Sequence, residues 1–228
     1  MTAPIPMRPI VVAIDGPAGS GKSSVAKAVA QRLGVPHVDT GAYYRAATLA
    51  VLRAGVDPAD DDAVPSVVGA ITITRVAGRT FLDGQDVEQA IRREQVTAHV
   101  SSVARQPRVR QALLAAQQSG LARDGGVVDG RDAATRVAPD ATAKVWLDAD
   151  VTERARRRAA QAGQVDRTQF HREDLSRRDT ADAQQMAQDP QAVIVDTTGL
   201  SLDEVVATVV DLVNRARVGP RRKRAHDE

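Results

Sequence analysis

The chain has 228 residues, 43% of them hydrophobic and 26% charged, the balance of a folded globular protein rather than a disordered one. It contains no cysteine, which excludes disulfides, thiolate metal sites and a cysteine nucleophile. No apolar run approaches the ~18 residues that span a bilayer, and residues 1–9 lack a signal-peptide pattern, so the expected compartment is the cytoplasm.

The net charge of +2 is a property of the C-terminal stretch. Residues 215–228 carry Arg215, Arg217, Arg221, Arg222, Lys223 and Arg224 against Asp227 and Glu228, and the remaining body holds 25 basic and 27 acidic residues. A basic body that tracks a phosphate backbone is therefore absent. Aromatics are confined to Trp146, Tyr43, Tyr44, Phe81 and Phe170, too few to build a base-stacking platform.

Strand and helix patterns alternate, which predicts an α/β fold with a parallel sheet covered by helices on both faces. Ile10 to Ile14 is a short β-branched run of the kind buried in a parallel sheet. A glycine-rich stretch leads into a helix over Ser23 to Leu33, closed by Gly34. Val35 to Val38 reads as a strand and Ala42 to Ala54 as a helix stopped by Gly55. The rhythm then breaks. Ile71 to Val76, a turn at Ala77-Gly78, and Thr80 to Asp83 read as an antiparallel hairpin. It is flanked by residues 64–69 and by a helical stretch over Glu94 to Arg105. Pro107 opens a further helix, and three more strands are expected at Val127 to Asp129, Ala143 to Leu147 and Ala192 to Asp196. Helices follow the last two, over Val151 to Ala162 and Leu202 to Ala216. The expected organisation is a core of residues 1–62 and 106–216 and an inserted β-plus-helix module at 63–105, with a basic, disordered tail at 217–228. Size alone points to a monomer.

Gly16-Pro17-Ala18-Gly19-Ser20-Gly21-Lys22-Ser23 fits the pattern G-x-x-x-x-G-K-[ST] between a strand and a helix. Small residues let successive backbone N–H groups turn inward around a phosphate, and the following helix adds its positive end. Lys22 is then placed for the β- and γ-phosphates and the Ser23 hydroxyl for Mg²⁺. No Asn-Lys pair is present, which excludes a switch-type GTPase base reader. The strand ending at Asp129 continues with Gly130-Arg131-Asp132 instead of a glutamate, so a motor-type ATPase fits poorly. A kinase for a small acceptor fits best. Arginines cluster at the sheet's carboxyl edge and on one helix, where Arg154, Arg157 and Arg158 share a face by i, i+3, i+4 spacing and Arg156 points away. A phosphate-contacting face is expected of the first three, and a solvated pairing with Glu153 of Arg156.

An ordered set of motifs extends this reading. Asp15 to Ser23, Asp39-Thr40-Gly41-Ala42-Tyr43-Tyr44-Arg45, Pro107-Arg108-Val109-Arg110, Asp129-Gly130-Arg131-Asp132, Glu153-Arg154-Ala155 and Arg178-Asp179-x-x-Asp182 occur in that order. Together they resemble the bacterial-type cytidylate kinases, a family of P-loop nucleoside monophosphate kinases, up to Ala216. The hairpin module with Phe81 to Val87 is similar to that family's enlarged monophosphate-binding insert. The resemblance implies ATP- and Mg²⁺-dependent phosphorylation of CMP and dCMP. It implies that residues 16–23 and Ser24 hold ATP, that Thr40, Arg110 and Asp132 face cytosine, and that Arg45 and Arg131 hold the acceptor phosphate. It assigns Ser101, Arg178 and Asp182 to the sugar, Arg178 also lying near the transferred group. It further implies a mobile helical lid, roughly residues 150–170, carrying Arg154, Arg157 and Arg158 over ATP. Chemistry supports the base assignment independently, because a carboxylate accepts from the cytosine N4 amino group and meets only a lone pair at uracil O4.

Two departures stand out. Ala133 and Ala134 follow Asp132 where the family has a bulky apolar residue and glycine, so strain at Ala134 is expected if that glycine needs positive φ. Ala183-Gln184-Gln185 replaces Ser-x-Arg after Asp182, which predicts slower turnover or compensation by an arginine such as Arg136. The rival readings are another small P-loop kinase, with a UMP or hydroxyl acceptor and Asp39 or Asp129 as base, and a non-catalytic nucleotide- or RNA-binding relative that uses the basic tail. His37, His99, His171 and His226 show no metal-ligand spacing.

Overall fold

The computed structural model describes residues 9–121, 125–161, 163–183, 186 and 188–218. The Gln184-Gln185 departure and the run Arg221, Arg222, Lys223 and Arg224 lie outside the described residues.

Five parallel strands form the main sheet: β1 (Val11–Asp15), β2 (His37–Asp39), β6 (Gly126–Gly130), β7 (Ala143–Asp148) and β8 (Val193–Asp196). Their order is β2-β6-β1-β7-β8, so β6 lies between β1 and β2. The period-2 alternation of a strand divides their side chains into two layers. Val12, Ile14, Val127, Val145 and Leu147 join one buried cluster with α1 (Lys22–Leu33) and α8 (Leu202–Val218). Ala13 and Val128 join the other, with α2 (Thr40–Arg53), α3 (Ala63–Gly69) and α5 (Pro107–Ser119). The expected sheet covered on both faces is what forms. Each fully buried Val, Ile or Leu contributes about 1.5–3 kcal/mol of transfer free energy.

The insert holds a separate antiparallel sheet of β3 (Ile73–Val76), β4 (Arg79–Leu82) and β5 (Gln85–Asp86). The third strand is absent from the sequence reading. Asp83-Gly84 forms a second two-residue turn with φ values of 49° and 80°, matching Ala77-Gly78 at 49° and 78°. Both positive values give the twist that returns a chain on itself. Helix α4 (Glu94–Ala104) follows.

Boundaries shift where capping decides them. Gly34 N–H reaches back to the carbonyls of Ala30 and Gln31, and Val35 N–H also goes to Ala30 O. That turn withdraws Val35 from the strand, so β2 starts at His37. The Asp39 side chain accepts from Ala42 N at 3.0 Å, so α2 begins two residues earlier than predicted. After β7, α6 (Val151–Gln161) packs on α7 (Thr168–Asp182), a helix with no counterpart in the sequence reading. The helical pair ends at Asp182. Among the described residues no helix is long and apolar enough to cross a membrane.

Candidate active site

The 16–23 loop leaves the carboxyl end of β1, where open α/β sheets bind ligands. Gly16 has φ 148°, and a Cβ there would lie 2.1 Å from Leu147 O, so only glycine fits against β7. Among the described residues Ser20 Oγ is buried with no partner. Lys22 donates from Nζ to Pro17 O at 2.7 Å, folded back into its own loop. Burial, then the nearby Arg131 guanidinium, lower its pKa to about 7. The Asp129 and Asp15 carboxylates pull the other way without cancelling that shift. Ser23 Oγ donates to Asp129 Oδ2 at 2.7 Å, and Asp129 Oδ1 meets His37 Nε2 at 2.7 Å.

A cleft of about 280 Å³ opens over this loop, lined by Ala18, Gly19, Gly21, Lys22, Ser23 and Ser24 on one side. Gly16, Pro17 and Ser20 lie beneath the surface rather than on it. The other side brings together Thr40, Arg45, Ser101, Arg110, Arg131, Asp132, Arg178 and Asp182, residues far apart in sequence. Thr40 donates from Oγ1 to Asp129 O at 2.7 Å. Buried Asp132 is ion-paired with Arg110, and Arg110 also donates to Ala104 O at 3.1 Å and lies over the Tyr44 ring. Arg45 donates from Nη1 to Thr97 Oγ1 and Ile91 O. Burial first, then Arg178 and Arg92, bring Arg45 down to about 10. Burial also lowers Arg131, which pairs with Asp182 at 2.6 Å and stands 3.6 Å from Asp179. Among the described residues Arg178 Nε is buried without a partner.

The helix α6 arginines divide differently from the expectation. Arg157 and Arg158 line the cleft. Arg157 donates to Glu153 and to Thr197 Oγ1 and O, and burial, then Arg178, lower Arg158. Arg154 turns away into the protein. It is 7% exposed and donates to Ala149 O, Ala18 O and Asp179 Oδ2. Its place is behind the phosphate loop, because Asp179, which also accepts from Ala18 N at 3.2 Å, draws the guanidinium inward. Arg156 is exposed and paired with Glu153, as expected.

The motif reading misses Arg92. Arg92 lines the cleft and donates to Asp39 Oδ2 at 2.9 Å. Burial raises the Asp39 carboxyl, but Arg92, with Arg75 and His37 behind it, outweighs that and the net shift is downward. With one oxygen on Ala42 and the other on Arg92, Asp39 is a structural carboxylate. Arg136 stands 3.8 Å from Asp132 and outside the cleft lining, whereas Arg92 lines it. Asp15 accepts from Ala133 N at 2.7 Å and Ala134 N at 2.8 Å. Only Ala77 and Asp83 among the described non-glycine residues have positive φ, so the expected strain at Ala134 is absent. A single π-helical turn over residues 133–137 takes up the chain there.

Seven arginines (45, 92, 110, 131, 157, 158 and 178) and Lys22 thus face Asp39, Asp129, Asp132 and Asp182 across one cleft. A cation excess of this size, bordered by a phosphate loop, suits nucleotides. The family model described as cytidylate kinase matches residues 12–215. The chain belongs to the cytidylate kinase family. It is 42% identical over 228 aligned residues to a cytidylate kinase of Chlorobaculum tepidum, covering 94% of this chain and 97% of that relative. It is 45% identical to one of Mycobacterium leprae (92% and 97% covered) and 42% identical to one of Geobacillus thermodenitrificans (93% and 99%). As a cytidylate kinase family member the chain is a nucleoside monophosphate kinase that uses ATP.

Proposed function

We propose that this chain transfers the γ-phosphoryl group of ATP in line to CMP or dCMP, with the two nucleotides end to end in the cleft. The observation that carries the reading is the shared cleft. The phosphate loop and the buried Arg110–Asp132 pair line the same space, and with them stand Arg45, Arg158 and Arg178, which make no ion pair among the described residues. The Asp132 carboxylate accepts from cytosine N4, with Thr40 and Arg110 beside the ring, and uracil offers no proton there. Arg45 and Arg131 take the acceptor phosphate, for which Arg131 exchanges Asp182 and Asp179 for the substrate. Ser101, Arg178 and Asp182 take the sugar. Residues 16–24 hold the ATP phosphates, and Lys22 swings from Pro17 O to reach them.

The acceptor is already an anionic phosphate oxygen, so no general base is required. Charge is the barrier. At an effective dielectric near 20, two unit charges ~4 Å apart repel by about 4 kcal/mol. Fixed guanidinium groups offset that repulsion where it develops. The Ser23–Asp129 pair fits Mg²⁺, which supplies charge neutralisation between phosphate oxygens when bound. Two oxygen donors suit an ion that completes its shell with phosphates and water. Among the described residues no cluster of three or more His, Asp or Glu side chains offers a complete protein cage. Residues 150–170 act as the lid, with Arg157 and Arg158 on its cleft side, and closure keeps water from the reacting phosphate. A monomer working in the cytoplasm completes the proposal.

The test is ADP release with ATP and Mg²⁺ and, as acceptors, CMP, dCMP, UMP, AMP and shikimate. A kcat/KM for CMP or dCMP at least 10²-fold above the others is expected, because a site built around a buried hydrogen-bonding group rejects the analogue that cannot make the bond. Preference for any other acceptor overturns the reading.

A further inference from the structure

Asp129 ends the apolar part of β6 and is 3% exposed. Both of its oxygens are engaged, Oδ2 by the Ser23 hydroxyl and Oδ1 by His37 Nε2, each at 2.7 Å. The backbone explains the meeting. β2 and β6 run parallel with His37 opposite Val127 and Asp39 opposite Asp129, so His37, Val127 and Asp129 share one sheet face by the period of two. Val127 belongs to the cluster packed under α1, the helix whose first turn carries Ser23. A carboxylate only accepts, so the ring nitrogen facing it carries the hydrogen. Nothing in the motif series includes His37.

We propose that His37 is a positioning residue for the metal-binding side of the site. Its Nε2–H holds one Asp129 oxygen so that the other stays turned toward Ser23. This rests on the assignment of Ser23 and Asp129 to Mg²⁺. Hydrogen bonds to the groups behind a metal site fix ligand orientation, and their loss weakens metal affinity by about 10–100-fold. A packing role alone would instead depend on ring size, not on the donor.

The test measures Mn²⁺ binding to ATP-saturated protein at fixed pH by electron paramagnetic resonance of the free ion, with no turnover. His37→Phe keeps a ring and removes the donor; His37→Gln keeps a donor and removes the ring. Expected are at least 10-fold weaker Mn²⁺ binding for H37F, values within threefold of wild type for H37Q, and metal-free ATP affinity unchanged within twofold in both. Asp129→Asn is the comparator. If D129N weakens binding and H37F does not, or if H37F and H37Q fall equally, the positioning role is overturned and the Asp129 assignment survives. If D129N binds Mn²⁺ like wild type, the assignment itself fails and the proposal with it. The ¹⁵N resonances of the wild-type His37 ring give a reading that needs no variant. An Nε2–H tautomer whose resonance moves when Mg²⁺ is added to the ATP complex is expected, and an unmoved resonance contradicts the proposal.

Discussion

Asp15 joins β1 to the loop that carries Arg131 and Asp132. Its carboxylate accepts the Ala133 and Ala134 amides while lying 1% exposed. Burial raises its pKa to about 6, against the pull of those two amides. The folded protein therefore holds this proton more tightly than the unfolded chain does, and stability from Asp15 is lost as pH rises from about 4 through about 6. The full cost at neutral pH is on the order of 3 kcal/mol. Asp15→Asn has no such titration. Between pH 4.5 and pH 7.5 the wild type should lose about 2 kcal/mol relative to the variant, read from urea unfolding at both values; a parallel pH course in the two proteins contradicts the assignment. Much at this scale was legible in the sequence, because Lys22, Arg110 and Asp132 are specified by local motifs. His37, Arg92 and the inward turn of Arg154 were not. Their partners Asp129, Asp39 and Asp179 come from distant segments, and only the folded sheet brings them within reach.

The elements with strong local signals were readable: β1 with its glycine loop, α1 closed by Gly34, and the hairpin turned at Ala77-Gly78. Helix α7 was not, because only His171, Leu175 and Asp182 along it are buried and its polar sequence carries little 3.6-residue periodicity. Its stability comes from packing on α6. The hairpin offers a direct test. Ala77 is exposed and holds φ 49°, at the first position of a turn that favours asparagine followed by glycine. Ala77→Asn should stabilise the protein by about 0.5–1 kcal/mol by relieving the left-handed strain of an alanine, measured as a higher urea midpoint with unchanged slope. A lower midpoint contradicts the turn geometry.

Across the whole molecule, charge is distributed against stability and toward binding. Seven arginines and one lysine share a cleft with four aspartates, and Lys22, Arg45, Arg131 and Arg158 are all driven toward their neutral forms. Burial first, and then repulsion between neighbouring cations, drives those shifts in the ligand-free protein, and polyanions relieve them. The most direct measurement is calorimetric titration with adenosine and cytidine joined 5′ to 5′ through five phosphates, a compound that places both ends on one chain of charge. One molecule should bind per protein, displaced by either ATP or CMP, with a Kd at least 100-fold below that of ATP alone and a Kd that rises steeply with salt. Affinity no better than that of ATP, or displacement by only one of the two nucleotides, would contradict a single cleft built to hold them end to end.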